Sequence, residues 1–112
     1  MTRHASIIGI QEKDIAEYKR LHAAVWPGEL ATIQRCHIRN YSIYLRRLPG
    51  GQHYLFSYFE YTGSDLAADL ALMAADPTTQ DWWKLCELLQ QPLPDRAAGE
   101  WWASAEEVFH CD

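Results

Sequence analysis

The sequence predicts an α+β domain whose elements follow the order β-α-β-β-α-β, the ferredoxin-like arrangement. Three observations carry that expectation. Short apolar or alternating runs at residues 3–10, 39–48 and 52–61 read as strands, and a Pro-Gly-Gly turn joins the last two into an antiparallel hairpin. Between and after them lie segments with apolar residues three and four apart, which is helical spacing. The length of 112 residues, 48% of them hydrophobic, suits one packed core. One domain over residues 1–112 is therefore expected.

Each element has its own signal. Residues Arg3 to Ile10 form the first strand, with the apolar stretch Ser6-Ile-Ile-Gly-Ile10, and "QEKD" ends it. A helix begins at or near Asp14, where Ile15, Tyr18, Leu21, His22, Val25 and Trp26 fall at helical intervals. Pro27 cannot donate a backbone hydrogen bond, so a kink or restart is expected there before helix resumes to about Arg35. In the second strand, Tyr41, Ile43 and Leu45 share one face while Ser42 and Tyr44 take the other. In the third, Leu55 and Phe59 point one way and Tyr54, Phe56 and Tyr58 the other. Ser64 or Asp65 can cap a helix through Leu66, Leu70 and Met73. Asp76-Pro77 interrupts it, and Thr78 to Gln90 reads as a further helix. Residues Pro92 to Gly99 form a loop, and a last strand is expected near Glu107 to His110.

Both faces of the hairpin are apolar or aromatic. Helices can cover one face; a second subunit is the simplest cover for the other, so a homodimer is expected. Five tryptophans and six tyrosines are more rings than one small core holds, which points to an interface or a ligand pocket.

Composition excludes several classes. A net charge of −5 gives no electrostatic reason to hold a phosphate backbone, and the longest basic feature is Arg46–Arg47. No nucleic-acid partner is expected. No apolar run is long enough to span a bilayer, so no membrane partner is expected either. Cys36, Cys86 and Cys111 are odd in number and contain no CxxC, which favours free thiols, a reducing compartment and a cytoplasmic location. The N-terminus lacks a secretory apolar core.

Among chemically capable residues, His22 stands out. It lies one helical turn after Tyr18 and one before Trp26, so the three rings share a face. A histidine there is either a partly buried residue with one satisfied hydrogen bond or a general acid/base that exchanges a proton near neutral pH. His4, His22, His37, His53 and His110 are too scattered for a metal cluster, and no glycine-rich phosphate loop follows a strand. Neither a metal nor a cofactor is expected. Cys86, at an apolar helical position, reads as core. Trp82 and Trp83 are adjacent and thus about 100° apart on a helix, so one ring can enter the core while the other faces a cavity. Asn40 offers a donor and an acceptor suited to sugar hydroxyls, or holds a turn. Tyr41 and Tyr44 take opposite strand faces, so one can reach a pocket.

The stretches "YKRLHAAVWP", "RNYSIYL", "TTQDWW" and the ending "EEVFH", in this order and at these intervals, resemble the L-rhamnose mutarotases over nearly the whole chain. The resemblance implies a dimeric α+β barrel that interconverts the α and β anomers of L-rhamnose without a cofactor. It implies His22 as the principal catalytic residue and Tyr18 as a sugar-site tyrosine that orients it or relays a proton. Asn40, Tyr41, Trp82 and Trp83 match motif positions around the sugar pocket. The chain departs from the family at Gly28, where an acidic residue often follows Trp-Pro; here Glu29 comes one position later. Gly50, Gly51 and the pair Trp101–Trp102 are also unusual. The alternatives are L-fucose as substrate, a different enzyme on the same architecture such as a cofactor-independent monooxygenase, and a non-catalytic sugar-binding or dimerisation protein.

Overall fold

The computed structural model describes residues 1–112. It has an α+β fold built on a curled antiparallel sheet, a half-barrel with helices inside the curl. The elements run β1 (Thr2–Ile10), α1 (Ile15–His22), α2 (Pro27–Arg35), β2 (Ile38–Arg47), β3 (His53–Tyr61), α3 (Leu66–Ala75), α4 (Pro77–Glu87), β4 (Gln90–Gln91) and β5 (Ala103–Ala105). A short 3-10 turn, Glu12–Asp14, leads into α1. The sheet order is β2-β3-β1-β4, with β5 also paired to β1.

β1 is the centre of the sheet. It pairs with β3 along its whole length, from Thr2 opposite Tyr61 to Ile10 opposite His53. Alternation then sorts the side chains. Ile8, Ile10 and Leu55 point to the helical side, where they form a core with Tyr18 of α1 and Trp82 and Cys86 of α4. Cys36, Ile38 and Met73 form a second cluster, with Ile33 and Phe59 packed against it. All four helices thus cover one face. Tyr54, Phe56 and Tyr58 belong to the other, together with Tyr44, which lies opposite Phe56 and is 64% exposed.

Pro27 restarts the chain rather than kinking it. α1 ends at His22, and Pro27 is the first residue of α2, where its missing N–H breaks no helical bond. Trp26 sits between the two helices in an extended conformation. The expected face of Tyr18, His22 and Trp26 on one continuous helix is therefore corrected: only Tyr18 and His22 share a helix. Gly28 lets the start of α2 approach α4 closely, since a Cβ there would lie 3.1 Å from Thr78 Cγ2.

The helix after Asp76 also differs, stopping at Glu87 so that Gln90–Gln91 can pair with Gly9 and Ile10. No strand forms at Glu107 to His110. Pro92 and Pro94, which lack donors, end β4, and Ala103–Ala105 then takes the rest of the β1 edge. Val108 and Phe109 gave the tail its strand-like pattern, but they are 89% and 80% exposed with no partner strand.

The remaining sequence signals have direct counterparts. Asp65 caps α3 through the backbone N–H of Ala68, and Asp76 caps α4 through that of Thr79. Gly51, at φ 93°, closes the hairpin turn. In β2 the register shifts between Arg39 and Ser42, where Asn40 adopts a left-handed φ of 49° that asparagine tolerates well. This bulge sets the Tyr41 ring 5.8 Å from that of Phe59.

Ile8 is fully buried at the crossing of sheet and helices. Ile8→Ala is expected to cost about 2–5 kcal/mol, the range for emptying such a site. Chemical denaturation would read it as a lower midpoint at unchanged slope.

Candidate active site

The curl of the sheet and the four helices line a half-open cavity of about 1150 Å³. Tyr18, His22, Asn40, Tyr41, Trp82 and Trp83 all line it. They come from α1, β2 and α4, elements far apart in sequence that the β1–β3 core holds together.

His22 lies in the last turn of α1. Its Nδ1 is 2.9 Å from the Tyr18 carbonyl oxygen. A carbonyl only accepts, so Nδ1 carries the proton and a neutral ring leaves Nε2 as a bare acceptor. The Tyr18 ring stacks on the imidazole at 4.1 Å between centroids, and Trp82 meets it edge-on at 5.3 Å. Trp26, past the end of α1, rejoins the group through Trp82 at 5.2 Å. Burial holds the pKa of His22 below the ordinary 6.5, and its bond to the Tyr18 carbonyl opposes that shift. At neutral pH the ring is therefore an uncharged base.

Tyr18 is buried, and burial raises its pKa far above the ordinary 10. Its hydroxyl accepts a hydrogen bond from Gln90 Nε2 at 3.2 Å. Trp101 Nε1 in turn donates to Gln90 Oε1 at 2.8 Å. That chain leaves the phenolic proton free to donate, on a group that does not release it. Tyr41 is 44% exposed as a residue, but its hydroxyl end is crowded, and burial pushes its pKa up to about 12. Trp82 is buried between the imidazole and the core, while Trp83 is half-buried and touches both core clusters. Asn40 is engaged at the rim: its Nδ2 donates to Glu60 Oε1 at 2.7 Å, and Tyr58 donates to the other carboxylate oxygen at 2.8 Å.

An uncharged base, a protonated phenol and flat apolar walls suit a small polyhydroxylated molecule. Comparison with known proteins agrees. The family model for L-rhamnose mutarotase matches residues 3–111. The chain is 34% identical to L-rhamnose mutarotase of Opitutus terrae over 113 residues, covering both chains fully.

The chain belongs to the L-rhamnose mutarotase family. The Bacillus subtilis member is likewise 34% identical over 113 residues, again with full coverage of both. The crystal structure of L-rhamnose mutarotase FA22100 from Formosa agariphila shares the fold, with a TM-score of 0.74 at 20% identity and full coverage of both chains.

Among the residues that line it without having been expected there are Glu29, Gln90 and Trp101. Gln90 was hidden because it reads as the end of α4, whereas it opens β4 beneath Tyr18. Trp101 carried a signal, since a tryptophan pair unusual for this mutarotase family calls for a role. Glu29 carried one too, as an acidic residue directly after Gly28 in the Trp-Pro segment.

The geometry sets an expected titration. In ¹H–¹⁵N NMR spectra, the His22 ring should protonate below pH 6.5, with Nδ1 bearing the proton in the neutral form. Titration at or above that value would contradict the buried, uncharged base.

Proposed function

We propose that this protein is an isomerase that interconverts the α and β anomers of L-rhamnose without a cofactor, with His22 as acid/base. The observation that carries the reading is the neutral imidazole whose Nε2 has no protein partner, fixed between Tyr18 and Trp82 in the cavity. The family match adds the substrate.

Mutarotation needs two proton transfers in each direction. A base takes the anomeric hydroxyl proton while the ring oxygen leaves C1 and gains a proton. The aldehyde turns about C1–C2, and closure on its other face reverses both transfers. His22 Nε2 takes the first proton and returns it. Tyr18 donates a hydrogen bond from its retained hydroxyl proton and holds the imidazole plane by stacking. Trp82 and Trp83 form apolar walls for the sugar's C–H faces, and Tyr41 meets hydroxyls. Asn40, its side chain held by Glu60, shapes the rim of the pocket beside Tyr41. A positioned acid/base supplies about 10²–10⁴-fold in rate. That is enough for a reaction already measurable in water.

The same proposal includes the assembly. Residues 1–112 act as one ferredoxin-like mutarotase domain, and two copies close into a dimeric α+β barrel through their helix-free sheet faces. Tyr44, exposed beside half-buried Phe56 and Tyr58, supports this: such a face in water calls for a cover. No helix is long and apolar enough to cross a membrane, and the three cysteines are free, which supports action in the cytoplasm.

Saturation-transfer NMR on L-rhamnose tests the reaction, with L-fucose in parallel. Faster anomer exchange is expected on L-rhamnose, with a loss of about 10²–10⁴-fold in His22→Ala. Folded protein that accelerates neither sugar would refute the reading, and preference for L-fucose would refute the substrate. For the assembly, Phe56→Asp is expected to shift sedimentation from dimer to monomer. An unchanged dimer would place the interface elsewhere.

A further inference from the structure

The mechanism above leaves the ring oxygen without a strong proton donor. His22 is an uncharged base, and Tyr18 holds its proton too firmly to give it up. Among the other titratable side chains that line the cavity, Glu29 is the one with a buried, unpartnered carboxyl oxygen.

Glu29 lies in the first turn of α2 and lines the same cavity as His22. It is 3% exposed. Its Oε2 is the one buried side-chain oxygen or nitrogen without a hydrogen-bond partner in the protein. No cationic side chain forms an ion pair with it; the nearby Arg35 is directed to Asp76 at 3.9 Å. A buried, unpaired carboxylate is costly, so such a group keeps a proton or finds a ligand. Thr32 ties α2 to the cap of α4 by donating to Asp76 at 3.4 Å, and the Thr79 hydroxyl of α4 lies by the Glu29 carboxyl.

We propose that Glu29 is the second acid/base of the site, giving its proton to the sugar ring oxygen as His22 takes the anomeric hydroxyl proton. This rests on the mutarotase reading. In the opening step, Nε2 of His22 binds the O1 proton, the O1–H electrons form the C1=O1 double bond, and the C1–O5 bond breaks. The O5 electron pair takes the proton from the Glu29 carboxyl. The products are the open aldehyde, an imidazolium and a carboxylate. Closure runs the same transfers backwards on the other carbonyl face, restoring both neutral groups with no outside reactant.

The surroundings favour the protonated acid. Burial raises the pKa of Glu29 above the ordinary 4.5; the charge of Asp76 adds to this, and the Thr79 hydroxyl opposes it. The other titratable groups that feel its charge are neutral: Tyr41 on β2, Cys86 on α4 and Cys36 at the end of α2, all with raised pKa values. Across the cavity the same burial lowers His22. The same pocket thus shifts the acid and the base in opposite directions, each toward its uncharged form, which is the pairing that ring opening requires.

Glu29→Gln keeps the shape and removes the transferable proton. The expected result is a loss of about 10²–10⁴-fold in kcat with KM little changed. The pH profile should also change. In the wild type, kcat/KM rises as His22 loses its proton and falls as Glu29 loses its own, and the variant should keep only the rising limb. A structural role alone would not erase one limb. Glu29→Gln with wild-type kcat and both limbs would overturn the inference while leaving the mutarotase reading intact. Wild-type protein without acceleration would overturn both. Infrared difference spectroscopy of the wild type is independent of how the variant folds. A carboxylic acid C=O band at neutral pH that is absent in Glu29→Gln is expected; an ionised Glu29 would overturn the inference.

Discussion

The buried Trp82 indole is the contact on which the site depends. Its edge meets His22 on one side and Trp26 on the other, so a residue of α4 fixes both the end of α1 and the start of α2. Edge-to-face aromatic pairs contribute about 0.5–1.5 kcal/mol beyond area burial. Burying an indole is worth more, about 3–5 kcal/mol by truncation. The burial therefore holds α4 against the sheet, and the weaker ring contacts choose the angle of the imidazole. Stacking by Tyr18 and the bond from Nδ1 to the Tyr18 carbonyl complete that choice. Nε2 is left as the one ring nitrogen able to react.

The position of Trp82 is itself set at the junction of α3 and α4. Asp76 accepts from the Thr79 N–H and hydroxyl at 2.9 Å each, and from the Thr32 hydroxyl at 3.4 Å. Thr79 and Thr32 are almost fully buried, so these bonds satisfy groups that would otherwise be costly to enclose. The close approach allowed by Gly28 brings α2 within reach of the same carboxylate. A side chain at position 28 would press on Thr78, and the next residue, Glu29, is the one that turns inward.

Much of this was legible in the sequence, for reasons that can be named. The β2–β3 hairpin and β1 follow from period-2 alternation and a Pro-Gly-Gly turn, both local signals. His22 and Tyr18 were found because one helical turn separates them within a single helix. Trp26 reached the same group by another route, through Trp82, which no spacing along the chain reveals. The last strand was misplaced because edge pairing is decided by what β1 leaves open, not by the apolar pattern of Val108 and Phe109. Gln90 was missed for the same reason, since its value comes from lying beside β1 under the Tyr18 hydroxyl. Asn40 was chosen for its chemistry, yet its backbone conformation and its bond to Glu60 account for much of its placement.

Burial acts on His22, Glu29, Tyr18 and Tyr41 in the cavity, but in opposite directions according to charge type. It disfavours the charged form, so it lowers His22 and raises Glu29, Tyr18 and Tyr41. A polar, open cleft would leave histidine partly protonated and the carboxyl ionised near neutral pH. Mutarotation from that state would start with the roles of acid and base exchanged and with both charges solvated. In this pocket burial shifts both groups toward their uncharged forms, so that on the proposed mechanism charge grows as the ring opens and is lost as it closes. A sugar bound there would displace water, which would strengthen the attraction between the transient imidazolium and carboxylate. Desolvation by the fold and desolvation by the substrate would then act in sequence, the first shifting the protonation equilibria and the second stabilising the charges that the proposed reaction creates.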